Sequence, residues 1–215
     1  MYIIIIGCGR VGSRLAQLLS ADENDIVIVD TESAKLKEVD SEFDGITIIG
    51  DGTDQDIMEK AGASRADVFV ATTDDDNVNL MACQVARQVF NIKRVIARVN
   101  DPTREQTFND LKIDMTVCPA SIAAARFKNA IMHPDLITTI GESVEINEIK
   151  IKGSVGGKAL KDINMPKEST MAAIIRDKKM LTPSEDVVLQ DGDIAIVVNL
   201  DKVSKEVRKS LGAEE

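Results

Sequence analysis

Short apolar runs alternate with helix-like segments along the first half of the chain. Six runs have the length and β-branched composition of strands: Tyr2–Ile6, Ile26–Asp30, Ile46–Ile49, Val68–Ala71, Val95–Val99 and Met115–Val117. The segments between them show helical spacing, as in the face that is shared by Val78, Ala82, Val85 and Val89. Continuous apolar strands separated by helices indicate a parallel sheet that is covered on both faces. The pattern predicts a doubly wound α/β fold, which binds its ligand at the carboxyl ends of the strands.

This alternation ends after Cys118-Pro119. Ser121 is the predicted N-cap of a helix that ends before His133-Pro134, because the residue before a proline disfavours helical backbone. We therefore predict an N-terminal domain over residues 1–133, which includes this helix, and a C-terminal domain over residues 134–215.

Strand-like periods dominate the C-terminal half. Val144 and Ile146 alternate in one phase and Ile149 in the other, which predicts a bulge near Asn147. The sequence Arg176-Asp177-Lys178-Lys179 is typical of a hairpin tip, and apolar residues at 203, 207 and 211 predict a closing amphipathic helix. This half is predicted to be a small α+β domain.

The first strand runs directly into the sequence Gly7-Cys8-Gly9-Arg10-Val11-Gly12. Gly7 permits a tight turn, Gly9 lets the main chain approach a pyrophosphate, and Gly12 lets the following helix pack closely on the strand. The helix N-terminus adds unpaired N–H groups that attract the anion. Because strand, glycines and helix occur together, we predict a nucleotide phosphate site rather than an accidental glycine turn.

Asp30 ends the second apolar run, 23 residues after Gly7. A carboxylate at this place accepts hydrogen bonds from the hydroxyls of an adenosine ribose. It also repels a 2′-phosphate, and Thr31-Glu32 follow where the phosphorylated cofactor would require an arginine. The motif therefore favours a free ribose, and it leaves NAD(H), ATP and ADP open as ligands.

Two polar segments follow the third and fourth strands at the same predicted rim. Asp51-Gly52 either contacts the edge of an adenine or forms a turn in which Asp54 caps the next helix. Thr73 and the backbone at Asp74 are ligand candidates, whereas the three aspartates at 74–76 otherwise complement a helix dipole. A divalent cation that bridges Asp74 to a phosphate is a further alternative.

Three other side chains have both a chemical and a structural interpretation. Arg10 in the glycine turn and Arg98 at the end of the fifth strand are candidate phosphate partners, since the arginine fork matches that geometry. The alternatives are a solvent-exposed Arg10 and an Arg98 that bridges to the acidic segment. Cys8 is either a redox switch, because a helix N-terminus stabilises a thiolate, or a small filler side chain.

Composition narrows the class of protein. The 215 residues carry a net charge of -10, which argues against binding a nucleic-acid backbone or an anionic bilayer. No apolar stretch has membrane-spanning length, and the first strand begins directly at the N-terminus. The 3 scattered cysteines match neither a disulfide framework nor a zinc knuckle. We expect a soluble, cytosolic protein.

The sequence shows no catalytic set. A nicotinamide dehydrogenase needs a proton carrier, and the only histidine is His133, for which a helix C-terminal cap is the simpler interpretation. The second half has neither a cluster of Lys, His and Glu nor a set of metal ligands. We predict no enzyme, no catalytic residue and no metal site, with the nucleotide as a signal. The alternative is a small NAD-dependent oxidoreductase in which His133 carries the proton.

Taken together, these motifs resemble those of the Trk potassium-uptake regulatory subunits, also described as RCK or KTN domains. The N-terminal similarity rests on IIIIGCGRVG, IVIVD, GDGTD, ADVFVATTDDDNVNLMACQVA and VIARVND, and the C-terminal one on GKALKDINMP and AAIIRDKKMLTPSEDVVLQDGD. The resemblance covers nearly the whole chain. It implies a Rossmann domain followed by the RCK C-terminal α+β module, in a non-enzymatic cytosolic protein that binds NAD(H) or ATP/ADP as a regulatory ligand.

The resemblance also implies contacts and partners. The family's nucleotide contacts fall on Gly7 to Val11, Asp30, the Asp51-Gly52 turn, Thr73-Asp74 and Arg98. The implied partner is a membrane potassium transporter subunit at the inner face of the cell membrane. The helix over Ser121–Met132 would serve dimer assembly and hinge motion in a dimer-based homo-oligomeric ring. Some family members carry two N- and C-terminal pairs in tandem, whereas this chain has one, so a ring would need more copies.

Overall fold

The computed structural model describes residues 1–40, 43–141 and 143–213. Contacts between residues divide the chain into two compact units, Met1–Ala124 and Ala125–Glu215. This division lies within a helix, α6 (Pro119–Met132). The domain boundary between residues 133 and 134 stays a prediction.

A six-stranded sheet forms the centre of the first unit. Its strands are β1 (Tyr2–Ile6), β2 (Asp25–Asp30), β3 (Ile46–Ile49), β4 (Val68–Ala71), β5 (Arg94–Arg98) and β6 (Met115–Val117). They are arranged in the order β3-β2-β1-β4-β5-β6, and each neighbouring pair is parallel. The order reverses between β1 and β4, so the predicted doubly wound α/β fold is confirmed.

Five helices connect these strands: α1 (Arg10–Ala21), α2 (Ser33–Asp40), α3 (Gln55–Lys60), α4 (Asp76–Gln88) and α5 (Glu105–Asp110). Successive side chains of β1 point to opposite faces of the sheet. Ile3 packs in the apolar cluster that contains Leu36 of α2, while Ile4 packs in the cluster that contains Phe69. Because both faces are buried, the strand is an unbroken run of isoleucines rather than an alternating pattern.

The buried face of α4 differs from the predicted one. Its buried residues are Asp76, Asn79, Ala82, Cys83 and Ala86. Val89, which was expected on this face, is 45% exposed. Small residues face the sheet because the helix packs closely against it, so the larger valines lie at the sides of the contact. The polar Asn79 is buried because it binds backbone groups, a condition that hydrophobic spacing does not reveal.

The helix α6 begins earlier than predicted. It starts at Pro119, where the missing N–H costs no hydrogen bond, so the assignment of Ser121 as N-cap is wrong. None of the side chains of α6 is buried, and Ile122, Phe127 and Ile131 are 59%, 71% and 77% exposed.

The second unit is built on an antiparallel sheet in the order β10-β9-β11-β8-β7. Its strands are β7 (Leu136–Ile140), β8 (Val144–Lys150), β9 (Ser169–Arg176), β10 (Lys179–Leu181) and β11 (Ile194–Leu200). The helix α7 (Ser204–Ser210) contributes the fully buried Val207 to an apolar cluster with Ile149, Ile174 and Val197. The predicted small α+β domain is confirmed.

Two local predictions for this sheet had different outcomes. The hairpin tip is confirmed: Asp177 and Lys178 have φ of 51° and 62° between β9 and β10. The predicted irregularity near Asn147 is present, but its extra residue lies in the neighbouring strand β7 and not in β8. The pairing of β8 with β11 is continuous, whereas the pairing of β7 with β8 has a register shift opposite Ile146 and Asn147, with its extra residue in β7 between Leu136 and Thr138. A second register shift lies between β11 and β9, at Ile196 and Val197.

A buried ion pair joins β9 to the turn before β11. The Arg176 guanidinium donates to both carboxylate oxygens of Asp193 at 2.8 and 2.7 Å, and the Gln190 N–H donates to the same carboxylate at 2.8 Å. The Asp193 side chain is 1% exposed. The Arg176 hydrogen bonds hold the pKa of Asp193 below its ordinary value, against the opposing effect of burial.

This pair predicts a pH-dependent contribution to stability. Because the folded-state pKa is lowered, the contribution is present above the unfolded pKa and is lost as the pH falls through the folded pKa. We expect Asp193→Asn to lower the free energy of unfolding by about 2 kcal/mol near neutral pH. The difference between the two proteins should shrink below about pH 4. Urea denaturation followed by circular dichroism measures both values.

Asp186→Asn is the matched control, since it removes a carboxylate from an exposed pair with Lys161 in which Asp186 is 88% exposed. Its effect should stay below about 1 kcal/mol. Equal losses in the two variants would contradict the assigned role of the buried pair.

No helix among the described residues is both long and apolar enough to cross a membrane.

Candidate functional site

The turn after β1 and the first turn of α1 have no room for a side chain at Gly7 and at Gly12. Gly7 has φ of +96°, and a Cβ there would lie 2.9 Å from the Thr73 nitrogen. A Cβ on Gly12 would lie 1.9 Å from the Gly7 carbonyl oxygen. In contrast, a Cβ on Gly9 would meet no atom within 4 Å, because it would project into open space at the mouth of a cleft. Gly7 and Gly12 therefore serve the fold, and Gly9 keeps the cleft open.

The N-terminus of α1 can attract a negatively charged group. The helix begins at Arg10, and the Gly9 before it provides no side-chain cap. The first-turn residues 10–13 contain no carboxylate. The N–H groups of a first helical turn have no partner within the helix, and the helix dipole places partial positive charge there. The arrangement suits a phosphate.

Asp30 is held at the end of β2 by two backbone donors. Its carboxylate accepts from the Cys8 N–H at 2.6 Å and from the Glu32 N–H at 2.9 Å. Each carboxylate oxygen keeps further acceptor capacity, which suits the two hydroxyls of a ribose. The hydrogen bond from Cys8 also joins the end of β2 to the glycine turn. Asp30 therefore stabilises the turn as well as lining the cleft beside it.

These residues line one cleft of about 540 Å³ at the carboxyl ends of the parallel strands. Ten of the predicted site residues lie on its surface: Gly7, Gly9, Arg10, Val11, Asp30, Asp51, Gly52, Thr73, Asp74 and Arg98. Cys8 and Gly12 are buried. The Cys8 thiol lies 3.4 Å from the Lys35 carbonyl oxygen, and Gly12 lies beneath the Gly7 carbonyl.

The rim segments have the turn and cap roles that were predicted as alternatives. The Asp51 carboxylate accepts from the Thr53 N–H at 2.9 Å, and Asp54 caps α3 by accepting from the Asp56 N–H at 2.8 Å. Asp75 caps α4 through the Asn77 N–H at 2.7 Å. Asp51 still lines the cleft, so its turn role leaves a ligand contact open.

Three cationic side chains line the cleft, and they differ in whether other protein groups already bind them. Lys35 donates to Glu32 at 2.6 Å, and this hydrogen bond is the main cause of the raised pKa of Lys35. Arg98 donates to the Thr72 carbonyl oxygen at 3.3 Å rather than bridging to the acidic segment. Arg10 is exposed at the start of α1. With Lys35 engaged by Glu32, the two arginines are the cations best placed for phosphates.

The donors of Thr73 are already engaged. Its N–H and its hydroxyl both donate to the Asn79 side-chain oxygen, at 2.9 and 2.7 Å. Sequence reasoning identified Thr73 but missed Asn79 and Lys35. A polar residue at a core-facing helical position was the available signal for Asn79, but the predicted face of α4 excluded it.

The described lining of the cleft contains no histidine. Across the described residues, no group of three or more His, Cys, Asp or Glu side chains is arranged to hold a metal ion. His133 belongs to the second unit, where its N–H donates to the Asn129 carbonyl oxygen at 2.7 Å.

The two units match two family models. Residues 3–119 match the TrkA-N domain, and residues 148–212 match the TrkA-C domain. A Trk system potassium uptake protein TrkA homolog of Methanothermobacter thermautotrophicus is 35% identical over 217 residues. The alignment covers 99% of this chain and 100% of that relative.

Solved structures share the fold. The GsuK channel bound to NAD aligns with 99% of this chain at a TM-score of 0.58 and 21% identity, and this chain covers 39% of that one. GsuK bound to ADP aligns with 62% of this chain at a TM-score of 0.55 and 26% identity, covering 34% of that chain. The family models and the full-length relative place the present chain in the family of Trk system potassium uptake proteins TrkA, with a TrkA-N domain followed by a TrkA-C domain.

Proposed function

We propose that this protein is the nucleotide-binding regulatory subunit of a Trk-type potassium uptake system. It would act in the cytoplasm, at the inner face of the membrane, and control a membrane potassium transporter. The observation that carries the proposal is the cleft at the ends of β1, β2, β4 and β5. It combines a helix N-terminus without a side-chain cap, the Asp30 carboxylate in a position to bind a ribose, and two arginines. Its described lining contains no histidine that could carry a proton. We propose that the site holds its ligand as a signal and does not change it chemically.

The proposed ligand is NAD(H), ATP or ADP. Asp30 would accept the ribose hydroxyls of any of them, and the α1 N-terminus would bind the first phosphates. The ligands differ in the negative charge that they carry beyond their first phosphates. Arg10 and Arg98 line the same cleft and would contact that additional charge. The names of the GsuK structures, bound to NAD or ADP, support an adenosine-containing ligand.

Regulation follows from differential affinity. A ligand shifts a conformational equilibrium only by as much as it binds one arrangement better than the other. Ligands that reach Arg10 and Arg98 to different extents would stabilise different positions of these side chains. That difference would be transmitted to the transporter through the assembled subunits.

Assembly is proposed to use the exposed apolar surfaces of the first unit and of α6. An apolar groove of about 360 Å³ lies on the sheet face beside β4, β5 and β6, lined by residues such as Leu19, Ile96 and Met115, of which Met115 is 54% exposed. The exposed Phe127 and Ile131 lie on α6. A homo-oligomer, as a dimer-based ring, would remove both surfaces from water.

The ligand assignment predicts distinct effects for two variants. Asp30→Ala should weaken adenosine, ADP and ATP alike, by roughly tenfold or more, because the lost carboxylate contacts the part they share. Arg98→Ala should weaken ATP most and adenosine least. Isothermal titration calorimetry on the full chain measures each Kd, and the nicotinamide absorbance of bound NADH reports any turnover.

Asp67→Asn is the matched control for Asp30. Asp67 also accepts a backbone N–H, that of Tyr2 at 2.8 Å, but it lies before β4, at the amino ends of the strands. It should leave every Kd unchanged. Absence of binding by all of adenosine, ATP, ADP, NAD and NADH would refute the proposed function, and steady oxidation of NADH by a carbonyl compound would favour the oxidoreductase.

The assembly predicts that Phe127→Asp shifts the protein towards the monomer. The substitution places a charge on a side chain that is 71% exposed, so it should leave the fold of each unit intact. Light scattering after size-exclusion chromatography measures the mass over a concentration series. Lys128→Asp, at an exposed neighbouring position of α6, is the control. An unchanged mass in Phe127→Asp would count against α6 as an assembly surface.

A further inference from the structure

Asn79 is a fully buried amide that bridges two strand ends. It lies on α4 with 0% exposure. Its side-chain oxygen accepts from the Thr73 N–H at 2.9 Å and from the Thr73 hydroxyl at 2.7 Å. Its side-chain nitrogen donates to the carbonyl oxygens of Thr73 and Arg98, both at 3.0 Å. These four bonds use the two donors and both acceptor positions of the amide.

Only an amide satisfies these partners. The Thr73 N–H can only donate, so an acceptor must face it, while the two carbonyl oxygens can only accept and require an NH2 group. A carboxylate would direct negative charge at two carbonyl oxygens, and an apolar side chain would remove the acceptor of the Thr73 N–H and the donor to the Arg98 carbonyl oxygen.

The bridge determines what Thr73 offers to a ligand. Asn79 accepts from the Thr73 N–H at 2.9 Å, and the Thr73 hydroxyl proton lies between two internal acceptors, Asn79 at 2.7 Å and the Asp75 carbonyl oxygen at 3.1 Å. Thr73 therefore has no donor left for a phosphate oxygen. Its hydroxyl keeps acceptor capacity, part of which is used by the Asp75 N–H at 3.3 Å. Thr73 therefore suits a ligand group that donates, such as a sugar hydroxyl, and it does not suit a phosphate.

The same bridge holds the backbone that carries Arg98. With its carbonyl bound by Asn79, Arg98 donates through Nη1 to the Thr72 carbonyl oxygen at 3.3 Å. The Arg98 Nε is buried without a hydrogen-bond partner among the described atoms. The guanidinium is thus held against the wall formed by residues 72 and 73, on the lining of the cleft.

Asp76, the first residue of α4, makes a second connection between this helix and the chain after β5. Its carboxylate accepts from the Asn100 N–H at 2.7 Å, the Asn100 side chain at 2.9 Å and the Asp101 N–H at 3.0 Å. Burial alone would raise the pKa of Asp76, but these donors outweigh it and hold the pKa below its ordinary value. The start of α4 and the chain after β5 are therefore joined by two adjacent polar side chains.

We propose that Asn79 is the positioning residue of the phosphate end of the cleft. It withholds the donors of Thr73 from the ligand and places Arg98 as the cation that recognises the outer phosphates. The inference rests on the proposed function, because it assigns roles within the same nucleotide site. It assigns a role to Asn79, which would not contact the ligand itself. It also predicts that Thr73, although it lines the cleft, donates no hydrogen bond to a phosphate.

The test compares ATP with adenosine, since the ratio of their Kd values isolates the phosphate contribution. Asn79→Ala should reduce this ratio by roughly tenfold, with adenosine affected far less. Thr73→Val, which removes only the hydroxyl, should leave the ratio within about threefold of its original value. In the Arg98→Ala background, Asn79→Ala should change the ratio little, because the two residues act through one contact.

Cys83→Ala separates positioning from general destabilisation. Cys83 is fully buried on the same helix and lies outside the cleft lining. It should lower the Tm while leaving the ratio unchanged. If Asn79→Ala weakens adenosine and ATP equally, Asn79 is merely structural and the proposal is overturned.

Thr73→Val provides an independent test if Asn79→Ala fails to fold. A collapse of the ATP-to-adenosine ratio in Thr73→Val would show that Thr73 donates to phosphate, and this result also overturns the proposal. Failure of the unaltered protein to bind either compound refutes the proposed function itself. Binding by the unaltered protein together with either of the two adverse results refutes only the role of Asn79.

Discussion

The contact between the N-terminus of α1 and the ends of β1 and β4 determines the rest of the first unit. The Thr72 hydroxyl lies 3.0 Å from the carbonyl oxygens of both Ile6 and Gly7. A Cβ on Gly12 would lie 1.9 Å from the Gly7 oxygen and 2.6 Å from the Thr72 hydroxyl oxygen. The helix therefore approaches the strands as closely as backbone atoms permit, and its unpaired N–H groups lie at the base of the cleft. Any side chain at position 12 would push the N-terminus of α1 away from the strands and from the cleft.

One wall of the cleft is held in place by internal hydrogen bonds, and the two arginines beside it differ in how firmly the protein holds them. Asn79 and Asp76 tie the start of α4 to the end of β5, so the wall between Thr72 and Arg98 is determined by hydrogen bonds within the protein. Arg10 is exposed at the first position of α1. In the proposed nucleotide site, a fixed wall beside an exposed cation would let ligands be distinguished by their phosphates without large changes in the fold. This division of roles would suit the proposed regulation, because the output of a regulatory site is a difference in binding free energy.

The second unit is stabilised differently. Its apolar cluster is small, and buried polar groups with defined partners supplement it. Asn147 donates to the Asn199 side-chain oxygen at 2.8 Å, and the Ser204 hydroxyl donates to the Glu145 carboxylate. Both contacts lie where the start of α7 meets β8 and β11. Such contacts specify one position for the helix, since any other would leave buried polar groups unpaired.

The sequence alone was sufficient where structure depends on residues close together in the chain. Apolar runs predicted all six strands of the parallel sheet, and the spacing of Gly7, Gly9, Gly12 and Asp30 predicted the cleft. These features follow from local sterics and from burial on both faces of a sheet, which leave a direct pattern in the order of residues.

Other features of the site depend on contacts between segments that are distant in the chain, and the sequence did not predict them. The face of α4, the engaged donors of Thr73 and the pairing of Lys35 with Glu32 each depend on where a side chain meets its partner in space. Asn79, for example, is buried because it reaches the backbone of Arg98, 19 residues away. A buried polar group is stable only when its partners are in place, and only the tertiary structure brings those partners together.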